Sequence, residues 1–86
     1  SIDNMVKNAV NEFNQVKECN TKIYVNADNQ IFITLFITVR EDAIIKDLAT
    51  ELQLKVKESV KNISDLDVEE VNVKIVKLQE DKKSKE

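Results

Sequence analysis

Every reversal in this 86-residue chain has to be made without glycine or proline, because the sequence contains neither. Average usage, roughly 7% Gly and 5% Pro, would supply about six and about four. The residues left to adopt positive φ are Asn and Asp, whose short polar side chains tolerate the left-handed region. The same absence removes whole classes of function. Walker A loops, dinucleotide-binding fingerprints, EF-hand loops and the glycine clamp of KH domains all need glycine where backbone takes φ > 0 or approaches a phosphate. Histidine is missing as well, which excludes a Ser-His-Asp triad, a Cys-His pair and an imidazole zinc ligand. The expectation is a non-enzymatic domain with no catalytic residues, no cofactor, no metal site and no small-molecule substrate.

Length and charge bound the rest. Eighty-six residues make one small domain. At that size folding buries only about 60% of the unfolded chain's surface, so a second subunit or neighbouring domain would add stability. Lys and Arg total 13 against 16 Asp and Glu, for a net charge of −3. That balance lacks the positive field that nucleic-acid binding needs. Cys19 has no second cysteine to pair with. At the end of a first helix, where the negative dipole end raises a thiol's pKa, it reads as structural. A single cysteine also suits a reducing cytoplasm. The longest apolar-rich run, Ile31 to Val39, is interrupted by Thr34 and Thr38 and is less than half the ~20 residues of a spanning helix. No membrane contact is expected within the chain. It begins at Ser1 rather than Met, so it reads as a fragment of a longer chain.

Ile2, Met5, Val6, Ala9, Val10, Phe13 and Val16 recur at the spacing of one helical face. This predicts a first helix over about residues 2 to 18, with Asn20 in the left-handed position beyond it. Thr21 to Asn26 alternates as a short strand, and Asp28-Asn29 predicts a hairpin turn. In the second strand Ile31, Ile33, Leu35, Ile37 and Val39 share one face, and Phe32, Thr34, Phe36, Thr38 and Arg40 the other. Asp42 reads as the cap of a second helix over about 43 to 63. Its stripe is Ile45, Leu48, Ala49, Leu52, Val56, Val60 and Ile63, with the i, i+4 pair Glu51 and Lys55 on the opposite side. Ser64-Asp65 closes it. Val71, Val73 and Ile75 then alternate in a third strand. Residues 1–80 thus form the domain, and the polar tail 81–86 reads as disordered.

The order α-β-β-α-β predicts an α+β fold. Strands one and two form an antiparallel hairpin, and a right-handed crossover through helix 2 sets strand three parallel to strand two. Both helices carry one apolar stripe, so both pack on one face of a three-stranded mixed sheet. The opposite face is left open and should carry Tyr24, Phe32, Phe36, Val76 and Leu78. Such a patch favours pairing with another surface, although coiling of the sheet or a folded-back tail could cover the rings. The acidic run Asp65, Asp67, Glu69 and Glu70 reads as a solvated loop rather than a cation site. Glu41 and Asp42 read as a helix cap rather than an acid-base pair. Lys55, Lys57 and Lys61 read as a solvated helix face, and Leu54 lies off the main stripe.

From Ile31 to Leu78 the chain resembles the alkaline shock proteins, the Gls-type envelope stress proteins of Gram-positive bacteria. The segments that carry the resemblance read ITLFITV, DLATELQLKVKESVKNIS and LDVEEVNVKIVKL. They match an apolar strand, a helix with a Gln and spaced Val residues, and a Val-x-x-Val-Asn-Val strand. Gln53, Val56, Val60, Val68, Val71, Asn72 and Val73 stand at the matching positions. Arg40-Glu41 and Ser64-Asp65 replace the family's Tyr-Gly and Thr-Gly, which marks a divergent member. The membrane anchor branch is the more similar one. The resemblance implies a cytoplasmic domain that binds protein, either a copy of itself or a soluble alkaline shock family member recruited to the membrane. It implies no catalytic residue. An alternative of another class is a KH-like domain for single-stranded RNA, since α-β-β-α-β is close to that architecture; the missing glycine clamp argues against it.

Overall fold

The computed structural model describes residues 1–80. Its elements are α1 (Ile2–Val10), β1 (Val16–Val25), β2 (Ile31–Arg40), α2 (Leu48–Ser64) and β3 (Val68–Gln79). They form the α+β arrangement expected, a three-stranded sheet of order β1-β2-β3 with β1 antiparallel and β3 parallel to the central strand. Ile31, Ile33, Leu35, Ile37 and Val39 are buried along one face of β2, where they meet Val6, Ala9 and Val10 of α1 and Leu48, Leu52, Val56 and Val60 of α2. Both helices therefore lie on one side. The disordered tail expected at 81–86 falls outside the described residues.

Asn and Asp take the places that glycine usually fills. Asn29 turns the β1–β2 hairpin with φ 65°, and Asp65 ends α2 with φ 63°, its N–H donating to the Lys61 carbonyl at 2.8 Å. The hairpin loop is held by Asn26, whose Oδ1 accepts from the backbone N–H groups of Asp28 and Gln30, both at 2.9 Å, while its Nδ2 donates to Gln30 Oε1 at 2.7 Å. Substituting Asn26→Ala leaves those donors to water and should lower stability by about 1 kcal/mol, read from the urea midpoint.

Three boundaries differ from the sequence reading. Helix α1 stops at Val10 instead of running to 18, because Glu12 and Phe13 donate to the carbonyls of Ala9 and Val10 and tighten the chain into a turn. Val16 to Asn20 then extends β1, supplying a partner for the full length of β2. Asn20 is accordingly a strand residue opposite Phe36, not a helix terminator. Helix α2 begins at Leu48 rather than 43, and Asp47 stands at its cap without a side-chain bond. Asp42 instead accepts from Arg40 Nε at 3.1 Å, and that contact holds its carboxyl below the ordinary value. Ile45, Ala49 and Ile63, expected on the buried stripe, are exposed. Lys55 reaches Glu12 at 3.1 Å across the helix pair.

Candidate functional site

The sheet face turned away from the helices is built in rows by the strand register. Tyr24, Phe32 and Glu70 form one row, and Lys22, Thr34 and Asn72 the next. Asn20, Phe36 and Lys74 follow, then Glu18, Thr38 and Lys77. The rings of Tyr24 and Phe32 lie 6.1 Å apart at 43°, a tilted aromatic pair of favourable geometry. Of the residues expected here, Tyr24 is 62% and Val76 60% exposed. Phe32 and Phe36, on the central strand, are half-buried between their neighbours. The face is therefore an aromatic seam rather than a bare sheet.

Leu78, expected on this face, lies on the other. A bulge at Val76 shifts the register so that Ile37 pairs with Ile75 but Thr38 with Lys77, which sets Leu78 opposite Val39, on the helix side of the sheet. It is nonetheless 59% exposed, near the end of the strand. The doublet Ile75-Val76, two apolar residues in succession inside an alternating run, is the sequence signal for that bulge.

One feature escaped the sequence reading. Both outer strands carry the same triplet on this face, Glu18, Asn20 and Lys22 on β1 and Glu70, Asn72 and Lys74 on β3. An aromatic centre is thereby flanked on both sides by mixed charge and amide, the anatomy of an interface with an apolar core and a polar rim.

Other polar contacts tie the elements of the fold together. Thr21 Oγ1 donates to the Asp3 carboxylate, tying β1 to α1, and Lys7 lies 3.5 Å from the same carboxylate. The Thr21 bond is the chief cause of a lowered Asp3 pKa, with Lys7 assisting. A depressed carboxylate contributes stability above its unfolded pKa and loses it as pH falls through the folded value. Thr21→Val should therefore move the Asp3 titration midpoint, followed by NMR, up toward the ordinary range of about 4. Lys61 holds Asp65 and Asp67 at 3.4 and 3.2 Å, which raises the Lys61 pKa. Cys19 lies in β1 opposite Ile37, not at a helix end, and burial rather than a helix dipole pushes its thiol up. It borders an open groove of about 190 Å³ between α1 and β1 with Lys7, Lys17 and Glu18. Among the described residues no three His, Cys, Asp or Glu side chains are grouped to hold a metal, and no helix is long and apolar enough to cross a membrane.

Comparison with solved structures finds a similar fold in MamM-CTD, in a His-to-Ala variant, with a TM-score of 0.61 and 15% identity over 91% of this chain and 95% of that one. No curated protein matches. A family model described as cell envelope-related matches residues 1–80, the span that holds both helices and all three strands. The chain belongs to the alkaline shock protein family.

Proposed function

We propose that this domain is a non-enzymatic protein-interaction module of a Gram-positive envelope stress protein, and that its helix-free sheet face receives another alkaline shock family protein. The observation that carries this reading is the seam of Tyr24, Phe32 and Phe36, rimmed by Glu, Asn and Lys on both outer strands. Buried aromatics dominate interface energies, and a charged rim fixes orientation at little cost. Phe32 and Phe36 are the anchors, with Tyr24 and Val76 completing the contact at either edge. The family's cell envelope-related description supplies the setting. In that setting the domain stands at the cytoplasmic side of the membrane, tethered by a segment upstream of Ser1, and recruits its partner there.

The test is calorimetric titration of the chain with a purified soluble family member. Saturable binding that Phe36→Lys weakens supports the reading; binding indifferent to Phe32 and Phe36 overturns it. Titration with mixed single-stranded RNA at ~50 mM salt addresses the RNA alternative. Low-micromolar binding that falls steeply with salt would replace protein by RNA as the ligand.

A further inference from the structure

We propose that a second copy of this chain pairs antiparallel along the outer edge of β3, about a two-fold axis at Asn72, to make a continuous six-stranded sheet. The sheet order gives β3 one neighbour, β2, and among the described residues nothing pairs with its other edge. A twelve-residue strand with one unpaired row of N–H and C=O groups is a template for another strand. The register with β2 is interrupted at Glu69 and again at Val76, which leaves a regular window from Glu70 to Ile75. Edge strands are blunted by such bulges and by lysines, so pairing is confined to the window, and the charges inside it select the register.

Inside that window the sequence reads Glu-Val-Asn-Val-Lys from Glu70 to Lys74. Read against itself in the opposite direction it is self-complementary. With Asn72 opposite Asn72 of the second copy, Glu70 faces Lys74 of that copy and Lys74 faces its Glu70, both on the helix-free side. On the helix side Val71 faces Val73, extending the apolar layer that already buries Val71. Centring on Val73 instead sets Glu70 against Val76 and Asn72 against Lys74, and centring on Val71 sets Glu70 against Asn72, so neither makes an ion pair. A one-residue slip puts helix-side residues opposite open-face ones. Parallel pairing in register sets Glu70 on Glu70, which like-charge repulsion disfavours. Strand β1 bears the same open-face triplet, but Thr21 between its members is bonded to Asp3 of α1, whereas β3 offers two valines. The edge shares Glu70, Asn72 and Lys74 with the rim of the proposed docking face but leaves the Tyr24, Phe32 and Phe36 seam uncovered, so this inference rests on the unpaired strand edge and not on the open-face reading.

Sedimentation equilibrium across a hundredfold concentration range tests it, with circular dichroism confirming that each variant folds. Glu70→Lys and Lys74→Glu should each raise the dimer dissociation constant about tenfold, since two attractive cross-strand pairs become repulsive. The combined variant, with charges exchanged, should return to within about threefold of the original. In a Cys19→Ser background, Asn72→Cys should form an intermolecular disulfide under mild oxidation. Directly opposed antiparallel residues stand about 4.5–5.5 Å apart at Cα, within disulfide reach. A monomer at every concentration up to about 1 mM overturns the proposal. So does a dimer that the exchange fails to restore. A dimer dissolved by Phe36→Lys but unmoved by the charge variants also overturns it, and places self-association on the open face instead.

Discussion

Replacing Leu52 by alanine will lower the unfolding free energy by about 3 kcal/mol, measured as a fall in the urea midpoint at unchanged slope. Leu52 is fully buried at the centre of the α2 stripe, between Leu48 and Val56 and over the apolar face of β2. Truncation removes the transfer energy of the lost methyl and methylene groups and leaves a cavity that a sheet and two helices cannot collapse to fill. A domain of this length has roughly 4–13 kcal/mol in total, so the variant stands near the limit of folding at 37 °C. Leu54 is the internal control. It lies two residues away on the same helix but is 65% exposed, and Leu54→Ala should change stability by no more than about 0.5 kcal/mol. Equal losses at the two positions would mean that the helix is rotated from the packing described.

Phe36→Lys should weaken binding of the family partner about 30-fold or more while lowering stability by no more than about 1 kcal/mol. The first figure is the loss of an anchor worth at least about 2 kcal/mol. The second follows from half-burial, because a lysine stem can lie along the sheet and raise its ammonium to water. Lys74 stands beside Phe36 in the register, so the new charge also repels its neighbour. Phe36→Ser removes the ring without that repulsion and separates the two causes. Calorimetry reads both variants. A partner affinity within about threefold of the original for both would remove Phe36 from the interface.

The parts of the fold that were legible in the sequence were those in which one pattern had one physical meaning. Ile31 to Val39 alternates so completely that a strand with one apolar face satisfies it, and Ile31, Ile33, Leu35, Ile37 and Val39 are buried as expected, whereas Thr38, expected on the open face, is buried as well. Asp28-Asn29 and Ser64-Asp65 were readable as turns because a chain without glycine has few other ways to reach positive φ. Misreadings arose where one pattern served two structures. Phe13 and Val16 fit the helical spacing that begins at Ile2, yet Val16 is needed as a strand partner for Val39, and tertiary pairing overrode the local preference. Asp42 looked like a cap, but Arg40 is close enough to hold it. The aromatic side of the sheet was visible from alternation alone, whereas the departure of Leu78 from it required knowing that a bulge intervenes. The paired triplets on β1 and β3 were invisible until register set Glu18, Asn20 and Lys22 on the same face as Glu70, Asn72 and Lys74.

The central strand meets its two neighbours at very different distances along the chain. Ile31 finds Val25 across a tight turn, but reaches Val68 only after the rest of β2 and the whole of α2 have been placed. Closing the short loop costs little entropy and closing the long one costs more, so the hairpin should assemble early and β3 dock last. The same asymmetry persists in the finished molecule as a gradient of local opening. Amide exchange should find β3 releasing its protons at a lower free energy than the β1–β2 hairpin, as the first strand to leave and the last to return.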